Sequence, residues 1–182
     1  MNFTKCLTAL ILLLNLQMVR AQSPLISRTS TTTFYSHAPL EDIEAINQRT
    51  TAAIDLEKQE IVVKMLIQHF EFENALMQEH FNENYMESGE FPAAMFQGRF
   101  SSEQAVDLNS PGEYLLKING EISMHGVTQP LECEATFVVK EAAAVEATTE
   151  FMLRPADFDI AIPSMVVRNI AEEIKVTTIL TF

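Results

Sequence analysis

Tyr114 to Lys140 reads YLLKINGEISMHGVTQPLECEATFVVK. Tyr114, Leu116, Ile118, Gly120, Ile122 and Met124 alternate with Leu115, Lys117, Asn119, Glu121, Ser123 and His125. After Gly126 to Pro130 the period resumes, with Leu131, Cys133, Ala135, Phe137 and Val139 opposite Glu132, Glu134, Thr136, Val138 and Lys140. Successive side chains of a strand point to opposite faces, so a two-residue period marks a strand with one apolar face. Two such runs joined by a turn predict an antiparallel pair.

The same pattern extends outward in both directions. Val145, Ala147, Thr149, Phe151 and Leu153 share a face, as do Ile174, Val176, Thr178, Leu180 and Phe182. Upstream, Ala94, Phe96, Gly98 and Phe100 lead to a turn at Asn109–Gly112. Thr50, Ala52, Ile54 and Leu56 are followed by a turn at Glu57-Lys58-Gln59 and then by Ile61, Val63, Met65 and Ile67. The apolar phase then slips to Phe70 and Phe72, which predicts a bulge. Thr31 to Ser36 is the expected first strand. His37 to Ile46, with Pro39 and several acids, is expected to be a loop or a short helical turn.

One segment breaks the strand pattern. From Glu73 to Glu87 the apolar residues Leu76, Met77, Phe81, Tyr85 and Met86 recur at helical spacing, with Asn74 as N-cap and Ser88-Gly89 and Pro92 as the stop. One helix cannot cover about eight one-sided strands, so the strand faces must cover each other, as a sandwich or a closed barrel. Pairing the last strand with the first removes both edges and favours a barrel. The helix is then a lid or plug over one opening.

Lys5, the apolar run Leu7–Leu16 and Val19-Arg20-Ala21 are expected to form a secretory signal peptide over 1–21, leaving one domain over 22–182 in the periplasm or outside the cell. The run is too short for a membrane span. The whole chain has 12 basic and 25 acidic residues; removing Lys5 and Arg20 leaves 10 − 25 = −15, a charge that disfavours nucleic acid and anionic membranes. Of the two cysteines only Cys133 follows residue 21, so an apolar core rather than a disulfide must hold the domain.

The expected inner face carries many small residues: Ala52, Ala94, Gly98, Gly120, Cys133, Ala135, Ala147, Thr149 and Thr178. Packed interiors tolerate few voids, so these residues favour an elongated apolar cavity. A flattened, filled sandwich is the alternative.

Residues 112 onward resemble the YceI-like family. Ile118 to Pro130, INGEISMHGVTQP, is similar to that family's strand ending in an HGVT turn. Leu153 to Ile160, LRPADFDI, is similar to its R-x-DF-x-I segment, and Ala171 to Val176, AEEIKV, to its final DEV-x-I strand. Phe91-Pro92 through Phe96 is a weaker match. The N-terminal part departs: the family's first-strand pattern is missing around Thr31–Phe34, and Asn82–Glu87 replaces a conventional family run. The resemblance implies an all-β, about eight-stranded antiparallel lipocalin-like barrel, with one helix covering an opening and an apolar tunnel for an isoprenoid or fatty tail.

The expected ligand-binding residues are Phe72, Met77, Phe81, Phe96, Phe100, Ile118, Ile122, Met124, Phe137 and Phe151, with Arg154 as the head-group candidate. Arg154 pairing with Asp157 to fix its loop is the competing role. His69, Glu71, Glu73, Glu79, His80 and Glu83 are metal candidates by residue type, but no motif brings three or four ligands together, and a solvated acidic face explains them. His125 shares a strand face with Ser123, yet no nucleophile elbow accompanies them, and shaping a turn explains the histidine better. The expectation is therefore a non-enzyme without cofactor or metal, whose partner is a hydrophobic small molecule, with a homodimer left open. A packed interaction module and a metal-assisted hydrolase are the rivals.

Overall fold

The computed structural model describes residues 23–141, 144–163 and 168–182, and the expected signal segment at 1–21 lies outside them. The strands are β1 Leu25–His37, β2 Asp42–Asp55, β3 Glu60–Leu66, β4 Phe70–Phe72, β5 Ala93–Ser102, β6 Gly112–Met124, β7 Val127–Val139, β8 Val145–Leu153 and β9 Ile174–Thr181, with helix α1 at Ala75–His80. All pairings are antiparallel, in the order β1-β9-β8-β7-β6-β5-β3-β2, and β1 pairs back onto β2. That closes the barrel. β4 also pairs with β2, beyond the end of β3, so β3 and β4 are one barrel strand interrupted at Ile67–His69.

The interruption falls where the apolar phase slips, although its form is a 3-10 turn. Asn47, fully buried on β2, bridges it. Its Nδ2–H donates to the Leu66 carbonyl at 2.9 Å, and its Oδ1 accepts the Arg49 N–H at 2.9 Å. A buried amide left without such partners would be costly.

Two boundaries differ from expectation. The loop expected over His37–Ile46 shrinks to Ala38–Glu41, because the acids that suggested it, Asp42 and Glu44, occupy the outward face of β2 while Ala45 and Asn47 point inward. The turn expected over Gly126–Pro130 is only His125-Gly126, both with positive φ (51° and 76°), the geometry of a tight two-residue hairpin. Pro130 is therefore inside β7. β8 pairs with β7 only over Ala135–Val139, so the missing N–H leaves no ladder bond to β8 unmade.

Phe34 apart, the inner face of β1 is polar. Ser30, Thr32 and Ser36 are buried, so each hydroxyl needs a partner. Thr50 donates to Thr32 at 2.9 Å and Thr32 meets Thr178 at 3.2 Å, while Ser30 accepts from Thr181 N–H and Ser36 from Ala171 N–H. These bonds knit β1 to β2, to β9 and to the segment leading into β9 at the closing seam.

One end of the barrel is filled. Ile54, Ile61, Phe100, Leu116, Ile118, Phe137, Val139, Val145 and Leu180 are all buried there. Gly98 and Gly120 face each other across β5 and β6, and they do not open space. A methyl group at Gly98 would lie 2.6 Å from the Phe96 ring, and one at Gly120 would lie 2.3 Å from the Gln97 carbonyl oxygen and 2.8 Å from the same ring. The pair is a seat for Phe96.

Candidate ligand-binding cavity

The other end is hollow. A cavity of about 270 Å³ lies there, bounded by the inner faces of β1, β3, β5, β6, β8 and β9 and roofed by the helical segment. Met65, Ala94, Ile122, Phe151 and Val176 form its wall, and Pro155, Ile160, Ile162, Ile170 and Ile174 close the side toward the β8–β9 connection. This volume sits just under the ~300–1,000 Å³ usual for small-molecule sites.

The roof follows from local sequence. Asn74 caps α1, its Oδ1 accepting the N–H groups of Leu76 (2.9 Å) and Met77 (3.3 Å). The chain continues through Phe81–Tyr85 with wider π-helical bonding, an irregularity often found at functional sites. It stops where Ser88 Oγ–H donates to Asn82 Oδ1 at 2.9 Å. Phe81 inserts among Phe34, Phe70 and Phe72, with ring centroids 5.4, 5.8 and 4.9 Å away. Leu76, expected on the apolar face, is instead exposed, because the six-residue α-helix turns Met77 and His80 toward the cavity. Asn74→Ala is expected to cost the segment about 1 kcal/mol. Hydrogen exchange should then quicken across 75–85 while the barrel amides stay as protected as before; unchanged exchange there would contradict the capping role.

His125 fastens this end. Its Nδ1–H donates to the Phe158 carbonyl at 2.9 Å, its Nε2 faces Glu87 Oε2 at 3.2 Å, and the Phe91 ring packs 4.8 Å away. Gln129 Nε2–H donates to the Asp157 carbonyl at 2.7 Å. The hairpin tip thus holds both the end of the roof and the turn Pro155–Phe158, beside the place where β7 and β8 diverge. Ser123 bonds Thr128 at 2.7 Å and takes no part.

The rim is polar and acidic. Glu41, His80 and Asn169 border the cavity, with Asn169 Nδ2–H donating to Glu41 Oε2 at 3.1 Å and Leu40 N–H to the Arg168 carbonyl at 3.2 Å. An outer groove continues from Glu41 past Asp42, Glu44, Glu71 and Glu73. Asp42 is held below the usual carboxylate range by its bonds to His37 and Tyr35, and Tyr35 is correspondingly pushed up by Asp42. No lysine or arginine is among the described residues lining the cavity.

Of the expected ligand-binding residues, the structure places Phe72, Met77, Phe81, Ile122, Met124 and Phe151 on the cavity. Phe96, Phe100, Ile118 and Phe137 are absent from its lining and belong to the packed interior, because the hollow occupies one end rather than the whole axis. Arg154 is exposed and off the cavity wall, since it follows the last residue of β8 on the outer side while its neighbour Pro155 turns in. It is also not ion-paired with Asp157; the Asp157 N–H donates to the Arg154 carbonyl at 3.0 Å instead. Phe34, Ile43, Met65 and Phe70 line the cavity without having been singled out. The alternation of Phe34 with Thr32 and Ser36 was the available signal, obscured by polar neighbours. Among the described residues no three His, Cys, Asp or Glu converge as a metal site, and no helix is long and apolar enough to cross a membrane.

The family model for the YceI-like domain matches residues 25–182. No curated protein matches the chain. Among solved structures, a polyisoprenoid-binding domain from Saccharophagus degradans implicated in plant cell wall breakdown superposes with a TM-score of 0.72 at 12% identity, covering 87% of this chain and 97% of that one. BcnA of Burkholderia cenocepacia gives 0.68 at 12% identity, covering 84% and 96%. A YCEI protein of Campylobacter jejuni gives 0.60 at 14%, covering 80% and 87%.

Proposed function

We propose that this chain, which belongs to the YceI-like domain family, is a non-catalytic carrier that holds the apolar tail of an isoprenoid or acyl amphiphile in the hollow end of its barrel. The observation that carries the reading is the cavity itself: an almost wholly apolar space of about 270 Å³ beneath an aromatic roof, in a barrel whose other end is packed. The polyisoprenoid-binding domain among its structural neighbours supports the tail chemistry. The lipid's head lies at the rim. Glu41, His80 and Asn169 accept or donate hydrogen bonds there, and the acidic groove beside them favours an uncharged or basic head over a carboxylate or phosphate. The expected signal peptide puts the carrier in the periplasm or outside the cell.

Each methylene taken from water contributes about 0.8 kcal/mol, so eight of them give about 6 kcal/mol gross, before the cost of ordering the tail. That suits reversible carriage. Native mass spectrometry and solvent extraction of the purified protein test the reading: a released prenyl or acyl compound at one per chain is expected, whereas an empty protein that also ignores added prenols and fatty alcohols would refute it.

A further inference from the structure

One acid borders the apolar cavity. Among the described lining residues Glu41 is the only carboxylate, and the same residue lines the outer groove together with Asp42, Glu44, Glu71 and Glu73. Glu41 therefore stands where the hollow meets water. It is held from two sides: the Ala38 N–H donates to the Glu41 carbonyl at 3.1 Å, and Asn169 Nδ2–H donates to Glu41 Oε2 at 3.1 Å. The hydroxyls of Thr32 and Ser36, which also line the cavity, are already bonded within the barrel.

The groove carries charge that the protein leaves unbalanced. The β2–β4 register pairs Ala45 with Phe72, so the next step sets Glu44 opposite Glu73. Like charges directly opposed across strands are destabilising. Among the described residues no lysine or arginine lines the groove, and of its five acids only Asp42 is ion-paired, with His37. Arg168 meets the rim through its backbone carbonyl, and its guanidinium makes no ion pair with Glu41. An apolar hollow that opens onto uncompensated carboxylates complements a molecule with an apolar tail and a cationic head.

We propose that the ligand is a cationic amphiphile, an alkyl or prenyl amine, and that Glu41 determines this specificity by holding the ammonium at the mouth. The inference rests on the carrier reading above and narrows it to one head-group class. The ammonium N–H donates to the Glu41 carboxylate, a charge-assisted bond, and the other acids of the groove add attraction that salt screens. A carboxylate or phosphate head meets repulsion from the same groups.

The experiment is a calorimetric titration of decylamine, 1-decanol and decanoate, near neutral pH, into the wild-type protein, Glu41→Gln, Glu41→Asp and Glu73→Gln. The tail is constant, so only the head varies. Glu41 is exposed, so its replacements leave the core untouched. At low salt the wild type should bind decylamine about tenfold tighter than decanol, and decanoate about tenfold weaker. In about 0.5 M salt both differences should shrink to within about threefold. Glu41→Gln should cut the amine-to-alcohol ratio about fivefold and flatten its salt dependence, Glu41→Asp should keep more of the ratio, and Glu73→Gln should cut it less. Decylamine binding no tighter than decanol, or a preference that Glu41→Gln leaves whole, would overturn the head assignment, while decanol uptake keeps the carrier reading intact. If none of the three binds the wild type, the carrier reading fails and the head assignment with it.

Discussion

Phe137→Ala is expected to destabilise the protein by about 3–5 kcal/mol, the usual cost of emptying an aromatic site in a core, and to leave tail affinity in the folded fraction within about twofold. Phe137 is fully buried on β7. Its register partners are Tyr114 on β6 and Ala147 on β8, and neither they nor Phe137 lines the cavity. The substitution therefore removes packing from the filled end without touching the hollow one. Denaturant unfolding should show a lower midpoint at an unchanged slope. A loss under about 1 kcal/mol would mean that the filled end is not packed as described, and a loss of binding would mean that the two ends are not separate.

Ala94→Trp should lower alkanol affinity about 100-fold or more. Ala94 is 3% exposed, pairs with Met65 and lies on the cavity wall just above Phe96. An indole there occupies the space the tail needs. Losing half of about 6 kcal/mol of methylene burial is already about 100-fold in Kd. The cost in stability is expected to stay within about 1–3 kcal/mol, because the new ring enters existing space before it strains its neighbours. The chain has no other tryptophan, so blue-shifted emission would report directly on burial of the indole. A folded variant that binds decanol as tightly as the wild type would place the site elsewhere.

The barrel was legible where the two faces of a strand differ in chemistry. β6 and β7 alternate apolar with charged residues, and their register follows that alternation through thirteen pairs. β1 was read at half its length because its inner face is mostly hydroxyl residues, Ser30, Thr32 and Ser36 around a single Phe34. Buried hydroxyls paired across a closing seam look, in a sequence, like a solvated run. The start of β2 was hidden by Pro39 and by acids that simply face outward.

The cavity was legible in kind and misplaced in extent. Small inward residues do signal missing volume, yet Gly98 and Gly120 return theirs to Phe96, a contact between residues whose proximity no period reveals. The wall contributed by Ile160, Ile162 and Ile170 lies in the long β8–β9 connection, which has neither strand nor helix spacing to mark which residues turn inward. His125 was read correctly as a turn residue. Its second role, holding Phe158 and Glu87 together from one imidazole, depends on partners 33 and 38 residues away.

The central claim is that the hollow end takes up an apolar tail, and calorimetric titration of 1-decanol into the wild-type protein at several temperatures tests it most directly. Burial of apolar surface gives a negative heat-capacity change on binding. The account predicts saturable uptake of one decanol per chain with a negative heat-capacity change, both lost in Ala94→Trp. The absence of saturable uptake, or uptake that Ala94→Trp leaves untouched, would contradict it.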